Sequence, residues 1–350
     1  MSGDGGGDGR RLLVLGGTRF LGRHTVEVAL AEGWEVTTFT RGVSGSPPPR
    51  VRALHGDRTD PADLRALAAA GEWDVVVDTS GYVPSEVGLA ASLLADRVGH
   101  YVFVSSMSVY PDIDSTVTRD DSPTFECGPD EEWHGTDEEF VGHYGRLKVG
   151  CERAVERHFP GRCTQVRAGL IVGPYDNAER LPWHVWRIGK VGGEVIGPGD
   201  PATGLSLIDA RDLVAWMLRC GADGVAGAYL GTSPSGQTTW GEVFGVLREV
   251  SGSDCVITWV PDEVLVAEGV GRWQELPLWV PIAEAPHTWD HDPAGALRTG
   301  LRCRPIRDTL ADTWAWLSTL DGVPTRPDRP SAGIAPEKER RVLATWHAMR

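Results

Sequence analysis

"RLLVL" (residues 11–15) runs directly into "GGTRFLG" (16–22), and the fold is decided at that junction. The apolar run reads as a buried strand, the glycines as a tight turn, and the stretch to Glu32 as a helix that Gly33 ends. A strand fed through glycines into a helix start aims backbone N–H groups and the positive helix end at one point, which suits a pyrophosphate.

The same alternation continues outward. "EVTTFT" (35–40), "VRALHGD" (51–57), "DVVVDTS" (74–80), "YVFVSS" (101–106) and "CTQVRAGLIVG" (163–173) read as further strands. Helices are expected after Pro61 with Asp60 as N-cap, around 85–97, and over 140–158. Continuous apolar strands alternating with helices imply a parallel sheet covered on both faces, and right-handed crossovers make it an α/β doubly wound Rossmann sheet. Beyond residue 174, Pro- and Gly-rich connections, many Trp and shorter elements indicate a smaller, partly interleaved C-terminal substrate lobe. The expected division is a flexible leader over 1–10, a dinucleotide-binding domain over 11–173, the lobe over 174–330, and a terminal helix over 331–350. The acidic stretch 111–139 reads either as a solvated loop or as a lid beside the site.

The 350 residues carry a net charge of −15 and a pI of about 5.1, which disfavours a nucleic-acid partner. No apolar run is long enough to span a membrane, and "MSGDGGGDGR" lacks a signal-peptide core, so a cytoplasmic location is expected. The six cysteines form no C-x-x-C and imply buried thiols, with no metal site.

"GHYGRLK" (142–148) places Tyr144 one helical turn before Lys148, in a chain with six Tyr and three Lys. A hydride moving to or from a carbon that bears oxygen must be matched by a proton on that oxygen. A tyrosine hydroxyl ordinarily titrates near pH 10, and a nearby ammonium favours its phenolate.

"VFVSSMSVYP" (102–111) resembles the "SSxxVYG" segment of extended short-chain dehydrogenases, the NAD-dependent epimerase/dehydratase family. "VRAGLIVGPYD" (166–176) and "LSLIDARDLVAWM" (205–217) resemble later segments of the same family, so the likeness spans roughly 11–320. It implies Ser106, Tyr144 and Lys148 as the catalytic residues, with Lys148 also holding the nicotinamide ribose and Ser106 the substrate oxygen. Gly16, Gly17, Thr18, Arg19, Phe20, Leu21 and Gly22 would form the cofactor loop, with Arg19 in place of the family's middle glycine. Asp57 would meet the adenine amine. The second strand ends in "FTRG" with no acid, and Arg41 there suits a 2′-phosphate; NADP is expected ahead of NAD. "GGTRFLG" with "FTRG" more closely resembles a divergent branch that includes plant chloroplast stem-loop-binding proteins.

Met107 and Ser108 stand where sugar dehydratases of the family carry an Asp-Glu pair, which speaks against dehydration. Leu170 replaces the Asn that commonly holds a nucleotide diphosphate. Substrate contacts are expected from Ser108, Arg180, Trp183 and Trp186; Arg211 faces either the substrate or Asp209 and Asp212. His143 and His184 read as acids or as structural groups. The leading expectation is an oxidoreductase acting on a secondary alcohol or ketone of a sugar-like or nucleoside-like small molecule. An epimerase that retains NAD and a non-catalytic RNA-binding or scaffold protein are the alternatives. The resemblance also implies a homodimer.

Overall fold

The computed structural model describes residues 9–45, 48–325 and 331–350. Most of the leader expected over 1–10, and residues 326–330 of the expected lobe, lie outside the described residues.

Seven strands form one all-parallel sheet: β1 (Arg11–Leu15), β2 (Glu35–Thr40), β3 (Arg52–His55), β4 (Trp73–Asp78), β5 (Val98–Ser106), β6 (Cys163–Ala168) and β7 (Gly227–Gly231). Their spatial order is β7-β6-β5-β4-β1-β2-β3, so the chain reverses its direction of travel between β1 and β4. Such a switch point opens a crevice at the carboxyl ends of the strands. Side chains alternate across the pleat. Leu12 and Val14 face one layer with Val75, Val77 and Val102, and Leu13 and Leu15 face the other with Val76 and Phe103. On the first side lie α1 (Phe20–Ala31) and, further along the chain, α6 (Ala210–Asp223). On the second lie α2 (Pro61–Ala69), α3 (Pro84–Leu94) and α4 (Asp137–His158).

One detail differs from the sequence reading. The single strand expected over 163–173 is two, because Gly169 breaks it: its N–H donates to Gly231 O at 3.1 Å, and a Cβ there would stand 2.3 Å from Thr232 Oγ1. Leu170–Val172 then pairs separately with Leu207–Asp209. Beyond residue 174 the chain returns to the large sheet, adding β7 at its edge and packing α6 on its face. The smaller lobe has its own core, built from α5 (Arg180–Trp186), Trp240–Ser251 and Ile306–Leu317 around Trp240, Phe244, Leu247 and Leu310. No helix among the described residues is long and apolar enough to cross a membrane.

Candidate active site

At the end of β1, Gly16 and Gly17 adopt φ of 110° and 111°, backbone that L side chains rarely take. A Cβ on Gly22 would lie 2.6 Å from Gly17 N, so α1 starts in direct contact with the turn. Arg19, the N-cap of α1, has extended backbone at φ −125°, and the positive φ of the loop falls on Phe20 at 30°. Arg19 therefore fits the loop without strain, and its side chain is exposed. It makes no side-chain cap, and the first turn of α1 has no acid. The helix start thus keeps its anion-binding character. Thr18 Oγ1 hydrogen-bonds Ser44 Oγ at 2.7 Å, tying the loop to the segment after β2. The positive φ of the two glycines, the close approach of Gly22 and the uncapped helix all fit a dinucleotide.

Arg41 follows β2 and is exposed. Asp57 accepts from Thr59 N at 2.9 Å and Thr59 Oγ1 at 2.8 Å; these bonds, with lesser help from the Arg41 and Arg58 charges, hold its carboxyl below the usual range. Beneath it lies a pairing that sequence reading missed. Arg58 grips the fully buried Asp78 at 2.8 and 3.0 Å, and Tyr101 Oη donates to the same carboxylate at 2.8 Å. Burial opposes the Asp78 charge, but Arg58 outweighs it and keeps the carboxyl below its usual range. Asp78 ends β4, so this network braces the floor of the crevice.

Ser106 ends β5, and a short 3-10 turn, Met107–Val109, follows. Ser106 Oγ donates to Ser108 Oγ and accepts from Ser108 N, both at 3.1 Å. Helix α4 packs closely over this turn because residue 145 is glycine: a Cβ there would stand 1.9 Å from Ser108 O. One turn further along α4, Lys148 is only 3% exposed. Its Nζ donates to Gly81 O at 2.7 Å and Val104 O at 2.6 Å, the loop after β4 and the strand β5. Burial lowers its pKa. Ser106 and Lys148 thus lie where β4, β5 and α4 converge, with Tyr144 one helical turn before the lysine.

The other expected residues have contacts of their own. Trp183 and Trp186 pack against the lobe core, and Arg180 is the charged neighbour of the fully buried Asp176. Arg211 binds Asp209 at 2.7 Å and also pairs with Asp312. His184 Nε2 bonds Pro277 O at 2.6 Å inside the core, and burial pushes its pKa down to about 4. His143 is exposed and lies 5.2 Å from the Trp133 ring. Sequence reading also missed Tyr82, in the loop after β4, whose ring lies 6.5 Å from that of Tyr144; a lone loop tyrosine gave no signal.

Residues 12–229 match the model of the NAD dependent epimerase/dehydratase family. The chain belongs to that family. Over 299 residues this family member is 28% identical to the dTDP-6-deoxy-L-talose 4-dehydrogenase (NAD(P)(+)) of Kitasatospora kifunensis, a match covering 77% of this chain and 88% of that one. It is 30% identical over 115 residues to the chloroplast stem-loop binding protein of 41 kDa b of Arabidopsis thaliana, covering 29% of this chain and 30% of that protein's length. Among solved structures, the Bordetella bronchiseptica enzyme WbmG in complex with NAD and UDP superposes with a TM-score of 0.64 at 17% identity, covering 89% and 96% of the two chains. The Thermus thermophilus UDP-glucose 4-epimerase complex with NAD gives a TM-score of 0.60 at 17% identity, covering 88% and 99%. The NADP expected from Arg41 is corrected by these structures, which hold NAD. The physical reason lies on the surface: Arg41 is exposed and acts as a counter-charge to Asp57, so its presence after β2 does not by itself specify a 2′-phosphate.

Proposed function

We propose that this chain is an NAD-dependent oxidoreductase that moves a hydride at a secondary alcohol or ketone of a sugar-like small molecule. The observation that carries the reading is the buried Lys148 ammonium, fixed by two carbonyls one helical turn from Tyr144 and beside the Ser106 turn. The loop from Gly16 to Gly22 would hold the pyrophosphate, Asp57 the adenine end, and Lys148 the nicotinamide ribose. NAD, when bound, supplies the hydride acceptor. Tyr144 takes the hydroxyl proton of the substrate, Ser106 donates a hydrogen bond to the same oxygen, and the Lys148 charge favours the Tyr144 phenolate. Ser108, exposed beside Ser106, would meet the substrate.

The Kitasatospora relative, by its name, oxidises a nucleotide-linked 6-deoxysugar, which supports a sugar-like substrate. A second reading, an epimerase that keeps its NAD, is favoured by the family and by the sugar epimerases that share the fold. The placement in the divergent branch rests on "GGTRFLG" and the partial match to the Arabidopsis protein.

The test is turnover of a panel of free and nucleotide-linked hexoses and 6-deoxyhexoses, followed by NADH formation and by inversion of the sugar. Tyr144→Phe is expected to lower turnover by about 10²–10⁴-fold while NAD still binds. Full turnover by that variant overturns the reading. Sugar inversion without net NADH selects the epimerase.

A further inference from the structure

Lys148 is not held by carbonyls alone. Its Nζ lies 4.3 Å from the centroid of the Phe103 ring and 5.3 Å from that of Tyr82, both within the range of cation–π attraction. Phe103 is a buried sheet residue, whereas Tyr82 is 46% exposed and sits at the mouth of the site. Its ring also lies 6.4 Å from Phe140 and 6.5 Å from Tyr144, two residues one turn apart on α4. Phe140 in turn stands edge-on to Trp133 at 5.6 Å. Tyr82 therefore bridges the two members of the Tyr144–Lys148 pair, and Gly81, directly before it, supplies one of the carbonyls that hold the lysine.

We infer that Tyr82 is a positioning residue for the Tyr144–Lys148 pair: the face of its ring holds the Lys148 ammonium beside Tyr144. The inference rests on the function proposed above. What matters is the aromatic face, because that face supplies the attraction to the cation, and the hydroxyl is dispensable. The titratable and charged groups facing Lys148 are Cys151 on its own helix, Tyr82 after β4, Asp78 at the end of β4 and Arg58 after β3. Next to Tyr144, α4 also carries His143. Without an aromatic face at position 82, the ammonium is held less firmly beside Tyr144, and the phenolate loses support.

The experiment compares Tyr82→Phe with Tyr82→Leu. Both lack the second phenol, and both fill the site with apolar atoms. Tyr144 is titrated by ultraviolet absorbance in protein freed of dinucleotide, as the difference between each variant and its Tyr144→Phe double variant. The pH profile of alcohol oxidation is measured alongside. Tyr82→Leu is expected to raise the Tyr144 titration and the acid limb of the profile by about 0.5 pH unit or more. It should also lower kcat several-fold with little change in KM. Tyr82→Phe should match the parent in both. Unshifted Tyr82→Leu, or Tyr82→Phe as impaired as Tyr82→Leu, overturns the inference. Thermal melting of each variant separates a positional effect from loss of fold. Should Tyr144→Phe itself stay fully active, it is the proposed function that fails; an inactive Tyr144→Phe with a normal Tyr82→Leu defeats only the role of Tyr82.

Discussion

Tyr144 and Lys148 share one face of a helix, yet their surroundings are opposite: the lysine is buried under the sheet end and the tyrosine is partly open. A charge excluded from water and fixed by carbonyls acts on its neighbour more strongly than one in solvent. His184 shows the reverse case, a titratable group that burial keeps neutral. Its pKa of about 4 lies below the ordinary 6.5, so between those values the unfolded chain binds more protons than the folded one. The stability this contributes is present above pH 6.5 and is lost as pH falls toward 4. At pH 5 the loss is about 2 kcal/mol. Urea unfolding at pH 7 and pH 5 should therefore show wild type losing about that much more than His184→Gln; equal losses would contradict the burial argument. Spacing singled out the Tyr–Lys pair and Ser106 as candidates, because both lie in local patterns. Tyr82 and the Arg58–Asp78–Tyr101 network were not legible, since each depends on contacts between segments far apart in sequence.

At the scale of elements, α4 does most of the positioning. Its start three residues before the expected 140 follows from a capping box: Thr136 Oγ1 accepts from Glu139 N, and Thr136 N donates to Glu139 Oε2 at 2.8 Å. Arg146, Arg153 and Arg157 then project from the helix to Glu131, Glu126 and Asp130. The acidic stretch read as a loop or lid is strapped along α4 by these pairs. Its charge was visible in the sequence, but its partners were not, because an acid run alone does not say which cations it meets. Gly145 sets the height of the helix over the Ser106 turn. Gly145→Ala would drive a methyl group into the Ser108 carbonyl, which is backbone and cannot rotate away. We expect a loss of about 1–3 kcal/mol of stability and a fall in turnover as Tyr144 is displaced. Calorimetric melting and kcat check this, and an unchanged Gly145→Ala would show that the helix has room to move.

Across the whole molecule, the sheet order and the glycine loop place one crevice at the switch between β1 and β4, with the proposed Ser106–Tyr144–Lys148 cluster at β5 next to it. The alternation of continuous apolar strands with helices made this architecture legible from residue 11 to the sixth strand. The seventh strand was hidden, because Gly227–Gly231 lies within the segment assigned to the lobe and begins and ends in glycine. Everything proposed for the cluster depends on the loop accepting a dinucleotide with Arg19 in the place of a glycine. The most direct measurement is calorimetric titration of NAD into protein first freed of any bound dinucleotide, with Gly17→Val as the control. A Cβ at Gly17 would approach Thr38 Cγ2 to 2.9 Å on backbone of φ 111°, so this substitution should close the cradle. One NAD should bind per chain of the parent and none to Gly17→Val. A parent chain that binds no NAD would contradict the proposal.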